Sequence, residues 1–210
     1  MTDFGRSGFT VSPLTLGTKT FGAGLWGSGM AAEREIADGY VLAGGNVVDT
    51  ANVYSSGERE RMLGQILTDS SLGDRIILSI KSGFARAQGH PLHGGNGAII
   101  RLEIEVSLRR VETDRIDLYR VHVGDRATPP EEVLKILFAA VTRGEILYCG
   151  LAITPAWYVG NVATLGGCAG GFRRVDAYEG PSLGAVEGDE QVLAVILVCP
   201  LRRYFTSTCT

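Results

Sequence analysis

Apolar and polar positions along this chain follow two alternating rhythms. Short, mostly apolar runs read as strands: LTLG at 14–17, NVVDT at 46–50, RIILSIK at 75–81, RIDLYRVH at 115–122 and EILYCGL at 145–151. Their near-continuous apolarity is that of parallel strands covered on both faces. Between and after them lie amphipathic stretches at 33–45, 57–67, 128–144 and 154–165, which read as helices. The segment AIIRLEIEVSLRRV, 98–111, satisfies both periods. Leu102, Ile104, Val106 and Leu108 alternate like a strand, whereas Ile100, Ile104, Leu108 and Val111 share a helical face. Its length decides for a helix. Start and stop signals agree with the pattern. Gly44-Gly45 closes the first helix, and Gly144 closes the one that Thr128 opens as N-cap, with Pro129 as first helical residue. Two later runs, FRRVDAY at 172–178 and VLAVILVC at 192–199, read as further strands.

A strand followed by a helix, repeated about six times, predicts a parallel sheet with helices outside it. A closed (β/α)8 barrel and an open doubly wound sheet both satisfy this pattern. About seven strands with no sign of a reversal point to the barrel. A barrel of this kind takes ~250 residues, and the chain has 210. The expectation is therefore a single α/β domain, 1–210, forming an incomplete (β/α)8 barrel of about seven strands. No linker or low-complexity segment divides it.

Composition narrows the function classes. A net charge of −3 offers no basic surface for nucleic acid or an anionic membrane. The start, MTDFGRSGFT, has neither the basic nor the apolar region of a secretory signal, and the eight residues of VLAVILVC are too few to span a bilayer. Cys149, Cys168, Cys199 and Cys209 form no CxxC, which fits a reduced, cytoplasmic setting. His90 and His93 make an HxxH, but proline and glycines mark that stretch as a loop, and no metal site is expected.

The candidate chemistry lies at strand ends. NVVD ends on Asp49, RIILSIK on Lys81 and RIDLYRVH on His122, at separations of 32 and 41 residues that fit successive βα units. In α/β folds the carboxyl ends of the strands form the ligand-binding rim. Tyr54 follows Asp49 in the next loop. A phenol is a poor acid at neutral pH, and a nearby ammonium such as Lys81 lowers its pKa. Asp49 offsets the cost of placing Lys81 in a partly buried site. His122 can hydrogen-bond a carbonyl oxygen, so the four together can polarise a carbonyl and protonate it. Singly, such residues are more often structural: a lysine after a strand is usually solvated, and a lone histidine usually fills space. Their joint placement favours function.

A competing pattern, Gly22-x-Gly24-x-x-Gly27, has Asp49 about 20 residues further on, as in a dinucleotide fingerprint. It does not directly follow the strand LTLG, SGM separates it from the next helix, and it leaves Tyr54, Lys81 and His122 unexplained.

The segments LGTKTFG (16–22), GGNVVDTANVY (44–54), LSIK (78–81), SLRRVETDRIDLYRVH (107–122) and TPAW (154–157) together resemble the aldo-keto reductase family, in order and spacing, from about residue 12 to 165. The resemblance implies a (β/α)8 barrel that reduces aldehydes or ketones with NADPH or NADH. By motif, Tyr54 becomes the general acid, Lys81 its activator, Asp49 the partner of Lys81, and His122 the group that orients the carbonyl. Thr18 and Lys19, with Asp49, fall where the family approaches its cofactor, and Trp26 where it faces substrate. The helix start GERERM departs from the family in placing Arg59, in place of a serine, before Glu60.

Other departures concern the cofactor. After EILYCGL the family places a Ser-Asn pair that holds the nicotinamide carboxamide, and this chain has Ala152-Ile153. Neither side chain can form that hydrogen bond. The family's following glutamine has no counterpart, and Tyr178 aligns there. Residues 166–210 diverge, and the family segment that binds the adenosine phosphate lies past residue 210. The resemblance therefore implies a cofactor bound weakly or lost, and leaves three readings: a reductase, a cofactor-free acid–base enzyme (isomerase, dehydratase or cyclase), or a non-catalytic remnant. The intact set of four speaks against the last. A parallel edge left open by a missing strand would need cover from the terminal segment or from a second subunit in a homodimer.

Overall fold

A computed structural model of the chain describes residues 1–4, 9–22, 29–69, 72–83, 97–122, 128–152, 156–168 and 197–199. A short antiparallel hairpin comes first, β1 (Thr2–Asp3) against β2 (Thr10–Val11). The alternating part then runs β3 (Leu16–Gly17), α1 (Met30–Leu42), β4 (Val47–Ala51), α2 (Glu58–Asp69), β5 (Ile77–Ser82), α3 (Gly97–Val111), β6 (Ile116–Val121), α4 (Pro130–Arg143), β7 (Ile146–Leu151) and α5 (Ala156–Cys168). Strands β3 to β7 lie side by side in chain order and all parallel. That is the progression of a barrel wall, and the sheet with its helices is the corresponding part of a (β/α)8 fold.

The ambiguous segment is helix α3, because Ile100 and Ile104, fully buried, join Val111 on the face packed against the sheet. By strand alternation, Val48, Ile80, Tyr119 and Val121 point to this same side. They form one core with Leu63 of α2 and Leu134 and Leu137 of α4. Asp49, Ser79, Lys81, Leu118 and Arg120 therefore point to the opposite, inner side. There a cavity of about 260 Å³ lies between the sheet and Phe4, Phe9 and Val11 of the hairpin region. At the base of the sheet Tyr40 ties α1 to β4: its hydroxyl accepts from the Val47 N–H at 3.0 Å and reaches the carbonyl of Leu14 at 2.8 Å.

Several expectations change in detail. VLAVILVC contributes only β8 (Leu197–Cys199) among the described residues, and β8 runs antiparallel to β7. An apolar run encodes burial but not direction, so the pattern could not show this reversal. The β7 edge is thus occupied by the chain's own β8. Helix α4 starts one residue late, with Pro129 as N-cap, Pro130 in the first turn and no side-chain cap bond, so Thr128 is not the cap. Proline at the cap donates nothing, and the next proline is preset for the first helical position. The expected strand at 172–178 lies outside the described residues. Among those residues no helix is long and apolar enough to cross a membrane.

Helices α2 and α3 meet at Gly64, where an added Cβ would stand 2.6 Å from the Val111 carbonyl oxygen. Glycine to alanine normally stabilises an exposed helix interior by about 1 kcal/mol. Here Gly64→Ala is expected to do the reverse, lowering stability by about 1–3 kcal/mol through overpacking. Urea unfolding followed by circular dichroism measures the sign directly.

Candidate active site

The four candidate residues come together because their strands are neighbours. Asp49 is the middle residue of β4, Lys81 lies near the end of β5, and His122 directly follows β6. Register sets Lys81 beside Ala51 on one side and Arg120 on the other. Asp49, two residues before Ala51, shares that inner face. Lys81 Nζ hydrogen-bonds to Asp49 Oδ2, and Arg120 Nη2 forms an ion pair with Asp49 Oδ1. One carboxylate thus bridges two cations. Lys81 and Arg120 are both buried, at 7% and 2% exposure.

Tyr54 opens a single tight turn, Tyr54–Gly57, between β4 and α2. Its ring meets the His122 ring edge-on, with centroids 6.3 Å apart, and Lys81 Nζ lies 5.5 Å from the Tyr54 centroid. Burial pulls Lys81 below the usual lysine range, opposed by its charge interaction and hydrogen bond with Tyr54. Burial, then the positive charges of Lys81 and Arg120, push His122 down to about 4. Its imidazole is therefore neutral at pH 7, able to donate one N–H and unable to act as a standing cation. Arg120 falls to about 10 through burial and stays charged.

The Tyr54 turn is braced from behind. The Asn52 N–H donates to the Lys81 carbonyl at 3.0 Å, joining the turn to β5. Arg110 of α3 pairs with the fully buried Glu60 at 2.8 Å and reaches the Asn52 carbonyl at 3.4 Å. Ser55 and Ser56 take left-handed backbone angles, φ +47° and +57°, which side chains other than glycine adopt at a cost. Gly57 continues at φ +92°, and a Cβ there would collide with the Arg110 guanidinium. Glu103, also on α3, accepts the Gly83 N–H at 2.5 Å and bonds the Ser82 and Asn52 side chains. Burial raises its pKa despite those bonds.

The cofactor candidates fall in different places. Thr18 is fully buried, and its hydroxyl and N–H both donate to the Asp49 carbonyl, at 3.1 and 2.9 Å. It thus holds β3 to β4 under the site. Lys19 is exposed. Ala152, just past β7, is buried, and its N–H is spent on the Val121 carbonyl at 2.8 Å. Trp26, Ile153, Tyr178, His90 and His93 lie outside the described residues. Among those described, no group of three or more histidine, cysteine, aspartate or glutamate residues is arranged to hold a metal.

Sequence reasoning passed over Arg120. The signal was present: Arg120 precedes His122 by two positions, hence shares its face, and is a charge inside a mostly apolar strand.

The fold agrees with what the chain is similar to. Residues 13–170 match the model of the aldo/keto reductase family. Norsolorinic acid reductase A of Aspergillus parasiticus is 36% identical over 163 residues, which cover 73% of this chain and 42% of that protein. An aryl-alcohol dehydrogenase of Pestalotiopsis microspora is 33% identical over 180 residues, covering 81% of this chain and 46% of that one. A solved aldo-keto reductase from Bacillus halodurans, in its holo form, superposes with a TM-score of 0.62 at 31% identity, over 71% of this chain and 48% of that one. The chain belongs to the aldo/keto reductase family. It spans less than half the length of these relatives.

A carboxyl with a raised folded-state pKa binds its proton more tightly folded than unfolded. Its contribution is fully present below the unfolded value and is lost as pH rises through the folded one. Glu103→Gln removes that contribution and keeps a side chain that can accept the Gly83 N–H. The loss of stability between pH 4 and pH 8, read from urea midpoints, is expected to be smaller in Glu103→Gln than in the wild type. Asp117, also raised by burial, is unchanged in both, so the difference isolates Glu103.

Proposed function

We propose that this chain carries the proton-delivering half of an NAD(P)H-dependent reduction of an aldehyde or ketone. The observation that carries this reading is the meeting of Tyr54, Lys81 and His122 at one rim, with Asp49 beneath them. Tyr54 donates its phenolic proton to the carbonyl oxygen as the carbonyl carbon gains a hydride. The Lys81 ammonium stabilises the phenolate that is left. Neutral His122 donates an N–H to the same oxygen and orients the carbonyl. Asp49 keeps Lys81 charged in a buried place.

A nicotinamide, if bound, would supply the hydride. The acid–base residues suit that chemistry, and Ala152 does not suit the other half. It stands where the family resemblance places the carboxamide contacts, and it offers a methyl group and an N–H already engaged. That one observation favours a second reading, in which the same residues run a redox-neutral isomerisation or dehydration next to a carbonyl. The relatives' names include an aryl alcohol, so aromatic aldehydes are the first substrates to screen. In this reading the enzyme works in the cytoplasm on a small-molecule carbonyl.

The test is a titration of the whole chain with NADPH and NADH, followed by tryptophan quenching, and then turnover. Saturable binding is expected, weaker than micromolar because Ala152 forgoes the carboxamide contacts. Tyr54→Phe should lower turnover by about 10²–10⁴-fold while leaving cofactor affinity unchanged. A folded protein that binds no cofactor up to millimolar concentration overturns the reductase reading and leaves the redox-neutral one.

A further inference from the structure

We infer that Arg120 is a positioning residue of the acid–base site: by taking the second oxygen of Asp49, it turns the Lys81–Asp49 pair into a cationic triad directed at Tyr54 and His122. This rests on the acid–base reading of the site. A lysine and an aspartate alone form a neutral pair, and the carboxylate could then turn fully toward Lys81. In this chain the carboxylate is shared, Oδ2 to Lys81 and Oδ1 to Arg120. Two cations against one anion leave a net positive charge below the rim.

The sheet is built to allow this. Arg120 sits on β6 and Asp49 on β4, so the guanidinium reaches across β5. The β5 residue level with Asp49 is Ser79, whose side chain is small, and the β7 residue level with Arg120 is Gly150, which has none. The arginine is 2% exposed, which shuts out the solvent that would otherwise screen it. The triad has two consequences for the chemistry. Lys81 retains an uncompensated share of charge with which to stabilise a Tyr54 phenolate. His122, disfavoured as a cation first by burial, is disfavoured further by the two positive charges, so protonation of the carbonyl is left to Tyr54.

His122 reports on this directly. Among the described residues, the charged and titratable groups that act on it are Lys81 from β5, Arg120 from its own strand and Tyr54 from the turn, with Asp49 of β4 behind the two cations. The experiment follows the His122 imidazole by NMR titration of the full chain, assigned by comparison with His122→Asn. The wild type is expected to titrate well below the ordinary 6.5. Arg120→Gln should move it up toward that value, Arg120→Lys should keep it low, and Lys81→Met should move it up as a positive control. A folded Arg120→Gln chain in which His122 titrates as in the wild type overturns the inference. Should that variant unfold, Asp49→Asn/Arg120→Gln is compared with Asp49→Asn alone. A higher His122 titration in the double variant supports Arg120 as a source of the positive charge at His122, and equal values overturn the inference. Failure of the reductase reading shows separately, as absent cofactor binding with the His122 response intact.

Discussion

Asp49 is one carboxylate shared by two buried cations, and the rest of the site is arranged around that sharing. A buried ammonium or guanidinium without a partner costs several kcal/mol, and removing one member of such a group typically costs about 3–5 kcal/mol. The strands that carry Lys81 and Arg120 must therefore stay in register with the strand that carries Asp49. Thr18 adds a second hold on the same residue by donating two hydrogen bonds to its carbonyl. The charge group pins β3 through β6 to one another on the side where chemistry is available.

The other side of the sheet does different work. Val48, Ile80, Tyr119 and Val121 are buried against the helices and supply the apolar area that drives folding. Between the two sides lies the Tyr54 turn, which has little apolar packing of its own. Arg110 and Glu103 of α3 bond Asn52 just before its left-handed serines, and Glu60 of α2 holds Arg110 in place, so the turn is flanked from the helix layer. Packing of the helices is thereby coupled to the position of the phenol. A change at the α2–α3 contact, remote from substrate, can move Tyr54 relative to Lys81.

Much of this was legible beforehand because burial and period are local properties. Strands β3 to β7 and the helices between them follow from apolar runs and capping residues. Asp49, Lys81 and His122 follow from reading which strands end on an ionisable group, and Tyr54 from the loop after the first of them. Two features escaped. Arg120 was visible as a residue, but its partner sits on a strand two places away in the sheet, and the pairing depends on register. The bracing of the Tyr54 turn was hidden for the same reason, since Arg110 and Glu103 lie about fifty residues from it in the chain.

The sequence alone determined the kind and order of the elements from β3 to α5 and which ionisable residues fall at the strand ends, because side-chain polarity and spacing decide these locally. Tertiary structure alone decided three things: that β8 turns back antiparallel on β7, that Asp49 serves two cations, and that His122 is uncharged. Each depends on distances between residues remote in the chain. Direction, pairing and the field at a buried group arise only once the strands lie side by side.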